Sequence, residues 1–228
     1  MERSRYHQRS WMFAVSFTGL ALISLVGGAN ATSLSGSLTV DNAFYAYLST
    51  DNTVLGTLVA QGNNWPTVFN FNNFALSSGQ THYLQIEAIN YGGPGAFIGQ
   101  FSLDDTGFQF SNGTQSLLTA NTTDWLSIYN NGNSDPTLQQ PWVTPTESVV
   151  SLGTNGVAPW GTMSGLDSNA QWIDGSNNGL STCQSCTVDF STVITSNSSS
   201  APEPGTYGLL LSACAAGLLT RLKQLRKR

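Results

Sequence analysis

The chain reads as an all-β protein, an antiparallel β-sandwich occupying residues 32–195, and three observations predict this. Apolar and polar residues alternate with the two-residue period of half-buried strands, as in Val68-Phe69-Asn70-Phe71 and Tyr83-Leu84-Gln85-Ile86-Glu87-Ala88. Turn-forming residues recur about every ten positions, and no stretch of this segment carries a convincing 3.6-residue periodicity. Many short strands separated by tight turns favour an antiparallel sandwich.

In chain order the expected strands are 37–40, 43–48, 54–59, 68–71, 83–88, 96–103, 125–129 and 188–194. The punctuation between them is Asp41-Asn42, Asp51-Asn52, Gln61-Gly62-Asn63-Asn64, Ser78-Gly79, Gly92-Gly93-Pro94-Gly95, Asn112-Gly113 and Asn131-Gly132, all good turn formers. Residues 131–179 are rich in Gly, Pro and Trp and lack alternation, so long loops over one face are expected there. Trp125 and Trp172, flanked by Leu126 and Ile173, are expected in the core. A segment of about 169 residues is one domain's worth and buries roughly two-thirds of its unfolded surface.

Charge divides the chain sharply. All eight Lys and Arg residues lie at 3–9 or 221–228, so between Thr32 and Ser200 the only basic side chain is His82. The same segment holds Asp41, Asp51, Glu87, Asp104, Asp105, Asp124, Asp135, Glu147, Asp167, Asp174 and Asp189. Binding nucleic acid rests on Lys and Arg neutralising phosphates, so this composition excludes it as a partner and weighs against nucleotides, phosphoryl transfer and acidic polysaccharide. Neutral glycans, cations, basic partners and other protein surfaces remain.

Both ends read as targeting segments. Arg3, Arg5 and Arg9, an apolar run from Trp11 to Val26, and Ala29-Asn30-Ala31 have the layout of a secretory signal peptide, residues 1–31, cleaved after Ala31. An uncut signal anchor is the alternative. After a Ser-rich linker at 196–201 comes Pro202-Glu203-Pro204, an uncharged run with its transmembrane segment at 206–220, and the basic cluster Arg221 to Arg228. This tail, 202–228, resembles the PEP-CTERM sorting signal of Gram-negative bacteria. The resemblance implies Sec export, processing near Pro202-Glu203-Pro204 by an exosortase-like enzyme, a transient stay in the inner membrane, and delivery to the cell surface or an extracellular polysaccharide matrix. The 16 residues from Gly205 to Thr220 make a helix of about 24 Å, short of the ~30 Å hydrocarbon core, which suits a processed signal better than a permanent anchor. A tail anchor that is never cut is the competing reading.

The segment from Val40 to Leu48 with its Asp41-Asn42 turn, then Trp65, then Glu87-Ala88-Ile89-Asn90-Tyr91-Gly92-Gly93-Pro94-Gly95-Ala96-Phe97-Ile98, resembles galactose-binding-like jelly rolls. Ala158-Pro159-Trp160-Gly161 and Ala170-Gln171-Trp172-Ile173 are similar to a stretch that follows in such domains. The resemblance implies a jelly-roll sandwich that contacts carbohydrate, although no Arg is present where many of these domains name their ligand with one.

Sugar faces stack on aromatic rings while amides and carboxylates bond their hydroxyls, which singles out Trp142, Trp65, Trp160, Tyr91 and Asn90 as glycan-contacting candidates. Trp142, between Pro141 and Val143 in a turn-rich stretch, is the best candidate for an exposed platform. Loop carboxylates are hard oxygen ligands, so Asp41, Asp104 and Asp105 form a candidate structural calcium site, against the plainer role of turn residues bonding their own backbone. Cys183 and Cys186 lack the partners of a four-ligand zinc site and the βαβ setting of a redox motif, and outside the cytoplasm they read as a local disulfide. His82 reads as packing or surface. No catalytic motif is present, and although two of the eleven carboxylates would suffice for a glycosidase, nothing marks which pair converges. The expected function is thus a non-catalytic, exported glycan-associating module; a structural matrix protein without a small ligand is the alternative, and a glycoside hydrolase a more distant one.

Overall fold

The computed structural model describes residues 31–120, 122–130, 140–176 and 179–197. The sorting motif Pro202, Glu203, Pro204, the segment 206–220, Ala29 and most of the signal peptide and Ser-rich linker lie outside them. Among the described residues no helix is long and apolar enough to cross a membrane.

The described chain is all-β and antiparallel. Its strands are β1 (Ser33–Asp41), β2 (Ala43–Ser49), β3 (Thr57–Gly62), β4 (Phe69–Ala75), β5 (His82–Asn90), β6 (Ala96–Leu103), β7 (Phe108–Phe110), β8 (Ser116–Leu118), β9 (Leu126–Asn130), β10 (Glu147–Thr154), β11 (Gln171–Gly175) and β12 (Cys186–Ser196), with one short helix, α1 (Gly179–Thr182). They pair in the order β3-β2-β5-β12-β9-β10-β11-β6-β1-β4, with β7 beside β12 and β8 beside β6. The two ends of this path, β3 and β4, lie against each other, so the sheet curls into a nearly closed, barrel-like layer. Near-closure leaves little free edge for pairing with another chain.

Period-two alternation decides what fills the interior. Leu34, Leu38 and Val40 of β1, Leu84, Ile86 and Ala88 of β5, Phe97 and Phe101 of β6, and Val188 and Phe190 of β12 all point inward and are almost fully buried. Trp125 plugs the centre, with its ring centroid 5.2 Å from Phe97 and 5.6 Å from Phe101. Gly36 makes room for this aromatic packing, since a Cβ there would sit 2.5 Å from the Phe101 ring and 2.7 Å from Phe71. A second, smaller cluster covers the outer face of β6: Ala96 and Ile98 lie under Trp160, Met163, Leu166, Ala170 and Trp172. Trp125 and Trp172 are core residues, as expected.

Each of the eight expected strands has a counterpart, but several differ in extent. The third begins at Thr57 rather than Val54, because Val54 lies in the preceding turn, 53 % exposed, while Gln61 and Gly62, read as turn residues, pair with Tyr45 and Phe44. The larger correction concerns residues 131–179, expected as loops: they contribute β10 and β11. β10 buries only Val149 fully and is broken by a bulge between Ser151 and Gly153, so it shows no alternation, and β11 is only five residues long. Three-residue strands such as β7 and β8 are too short to display a period. The loop 155–170 does cover one face, as the long loops were expected to.

Candidate functional site

One cross-strand row on the outer face of the sheet organises the region of chemical interest. Register places Gln61 of β3 opposite Tyr45 of β2, Tyr45 opposite Glu87 of β5, Glu87 opposite Asp189 of β12, and Asp189 opposite Ile128 of β9. Directly opposed residues in antiparallel pairs hold their Cβ atoms about 5 Å apart, so this is a continuous line of side chains. It divides into an open half and a covered half.

The open half is a groove of about 300 Å³ lined by Phe44, Tyr45, Gln61, Asn63, Phe69 and Tyr91, together with Ala43 and Gly62. None of these residues is acidic or basic in type. Partial burial and the neighbouring Tyr45 hold the Tyr91 phenol above its usual range, so it keeps its O–H as a donor. Tyr91 as a whole is 42 % exposed. Two phenol rings and two primary amides around an uncharged groove match the stacking and hydroxyl-bonding needs of a neutral sugar.

A hydrogen-bonded chain holds Tyr91 in place. Its backbone N–H donates to Asn42 Oδ1 at 2.7 Å, and Asn42 Nδ2 donates to Asp41 Oδ1 at 2.8 Å. Asp41 Oδ2 in turn accepts from Trp160 Nε1 at 2.9 Å, and the Trp160 ring stacks on Trp172 at 4.7 Å. Burial raises the Asp41 carboxyl above its ordinary value, against the lowering effect of the Trp160 N–H. On the other side of Tyr91, the fully buried Asn90 bonds the carbonyls of Leu180 at 2.6 Å, Gly93 at 3.0 Å and Cys183 at 3.2 Å, and accepts from the Gly92 N–H at 2.9 Å. A disulfide joins Cys183 and Cys186, the expected pair, pinning the turn that Asn90 grips.

Several sequence candidates therefore change role. Trp160 and Asn90, expected as glycan contacts, are buried, at 6 % and 0 % exposure, and cannot meet a ligand: the indole is needed to cover β6 and the amide to satisfy loop carbonyls. Trp65 is half-buried against the same outer cluster as Trp160. Trp142 is also half-buried rather than freely exposed, because its indole N–H donates to the Asn52 carbonyl at 2.8 Å. Tyr91 alone of the five presents an exposed ring in a groove.

The proposed calcium residues do not converge. Asp41 closes β1, whereas Asp104 and Asp105 meet its beginning, where Asp104 accepts from the Ser33 backbone N–H and Oγ at 2.7 Å each and Asp105 accepts from Thr32 Oγ1 at 2.6 Å. A nine-residue strand separates the two ends by about 26 Å. Among the described residues no three His, Cys, Asp or Glu side chains come together as a metal-binding group. His82 packs its ring edge against Phe108, and its Nε2 accepts from the Ser77 N–H at 3.0 Å.

The covered half of the row was not legible in the sequence. Glu87 and Asp189 sit at polar positions of alternating strands, which ordinarily face water. Here residues 140–144 lie across them as a strap, and both carboxyls are fully buried. Burial pushes Glu87 up to about 7, despite the Tyr47 O–H at 3.0 Å and the Gln140 backbone N–H that favour its charged form. Burial, reinforced by the charge of Glu87, pushes Asp189 up to about 8, despite donors from the Val143 N–H and Asn130 Nδ2, each at 2.9 Å.

No protein-family model, curated protein or solved structure matches this chain.

Proposed function

We propose that this protein is an exported, non-catalytic module that associates with neutral polysaccharide through the Tyr45–Tyr91 groove. The observation that carries the reading is the groove's lining: aromatic rings and amides, with no charged side chain among them. The absence of Lys and Arg from residues 32–200 and the resemblance of 202–228 to a PEP-CTERM signal support an extracellular, polysaccharide-rich destination reached through Sec and an exosortase-like enzyme. The reading includes a two-layer sandwich of the jelly-roll kind, with β4-β1-β6-β11-β10 facing β3-β2-β5-β12-β9 across the aromatic core. Full burial of Glu87 and Asp189, the one pair of carboxyls opposed across neighbouring strands among the described residues, gives a sugar no route to them and supports a binding rather than a hydrolytic role.

The test is retention of the protein on insoluble and immobilised neutral polysaccharides, compared with Tyr91→Ala. An aromatic contact contributes about 0.5–1.5 kcal/mol beyond its buried area, so affinity should fall roughly two- to twelve-fold with an unchanged melting temperature. Equal retention of both proteins would remove the groove from the binding site. If the folded protein is retained on no polysaccharide, it acts as a structural matrix component with no small ligand.

A further inference from the structure

Glu87 and Asp189 face one another in register, fully buried, and each keeps one oxygen, Oε1 and Oδ1, without any hydrogen-bond donor. Among the described residues no Lys or Arg is present to set against them. On β2 the facing groups are Tyr45 and Tyr47, on β9 Ile128 and Asn130, and on β12 Thr187 and Ser191. The strap Gln140–Thr144 has no ionisable side chain, and Asp51 in the β2–β3 turn is exposed. His82, the only basic side chain among residues 32–197, lies at the far end of β5 and packs on Phe108 in the interior.

We propose that Glu87 and Asp189 share a single proton, and that this proton latches the strap Gln140–Thr144 to the sheet and releases it when lost to alkaline solution. One O–H···O bond between the two carboxyls satisfies both orphaned oxygens at once. Two ionised carboxylates in the same place would repel each other while deprived of water, which is the arrangement that drives a proton into any close buried acid pair. Both acids are held above the usual carboxylate range, in agreement with a proton retained through neutrality.

The strap is what yields when the proton leaves. Glu87 and Asp189 belong to the long β5–β12 ladder, whereas the strap is fastened by a few bonds, two of which end on the acids themselves. The Val143 N–H donates to Asp189 Oδ2, and the Gln140 N–H donates to Glu87. Asn130 Nδ2 bridges Asp189 Oδ2 and the Pro141 carbonyl, the latter at 2.7 Å. Trp142 Nε1 and Thr144 Oγ1 both donate to the Asn52 carbonyl, at 2.8 and 3.2 Å. Lifting the strap admits water to the second charge and breaks these bonds, while the β5–β12 ladder stays intact. The sign follows: the folded pair binds more protons than the unfolded chain above the ordinary carboxylate range, so the latch is complete in acid and weakens as pH rises through about 7 to 8.

Hydrogen exchange of the full chain at pH 6 and pH 9, corrected for intrinsic exchange, tests this. Protection of residues 140–146 should fall at least about ten-fold at pH 9 while β1 stays protected, since β1 shares no bond with the acids. In Asp189→Asn the new Nδ2 donates to Glu87 Oε1 in place of the shared proton, and the strap should keep its pH 6 protection at pH 9. Glu87→Gln makes the same replacement from the other side and serves if the first variant does not fold. Equal strap protection at the two pH values, loss spread evenly over all strands, or an unaltered pH response in a folded amide variant would each overturn the proposal.

Discussion

Replacing Trp160 separates a packing role from a ligand-binding one. Its ring stacks on Trp172 at 4.7 Å over Ala96 and Ile98, and its N–H is one of the donors that stabilise the buried Asp41 carboxylate. Trp160→Ala removes the whole ring from a site 6 % exposed, and core truncations of this kind cost about 3–5 kcal/mol. Trp160→Phe keeps most of the stack but leaves Asp41 Oδ2 without its donor, a loss of about 1–3 kcal/mol. At roughly 2–4 °C per kcal/mol for a domain of this size, the melting temperature should drop by about 6–20 °C for the alanine variant and about 2–12 °C for the phenylalanine one. The phenylalanine penalty should depend on pH with a definite sign. The lost donor served the charged form of Asp41, whose value burial already raises, so the penalty is full at pH 7 and shrinks as the carboxyl is protonated in acid. Thermal unfolding of wild type and both variants at pH 7 and pH 4 provides the measurement. A Trp160→Phe variant that melts with wild type at pH 7, or whose penalty is the same at pH 4, would refute the assignment of Trp160 to the Asp41 network.

Two further outcomes follow from the core and the disulfide. Gly36→Ala forces a methyl to within 2.5 Å of Phe101 and 2.7 Å of Phe71, and overpacking of this kind should destabilise the fold by about 1–3 kcal/mol in denaturant titrations; an unchanged midpoint would mean that the aromatic core relaxes freely. Reducing Cys183–Cys186, or replacing both residues by Ser, opens a loop of only four residues, for which chain entropy gives about 2 kcal/mol, a fall in melting temperature of roughly 4–8 °C.

Class and strand positions were legible because they are written in local periodicity. Leu34, Leu38 and Val40, or Leu84, Ile86 and Ala88, declare an inner face by their spacing alone, whatever they pack against. Elements without alternation escaped: β10 is bulged and nearly unburied, and β11 is five residues long. Candidate sites fared differently. Residue type singled out Trp160 and Asn90 as glycan contacts, whereas both are buried, because an indole or an amide looks the same in a sequence whether it meets a sugar or a loop carbonyl.

By itself, then, the sequence determined an acidic β domain without Lys or Arg and with a Cys183–Cys186 staple, since composition, two-residue period and short separation are properties of neighbours along the chain. Only the tertiary structure decided that Tyr45 and Tyr91 flank one groove, that Asp41 and Asp104 stand at opposite ends of β1, and that Glu87 and Asp189 meet beneath residues 140–144. Those outcomes rest on strand register and on which loop roofs which face, and both are set by the packing of residues far apart in sequence: Glu87 and Asp189 are 102 positions apart, and no local pattern couples them.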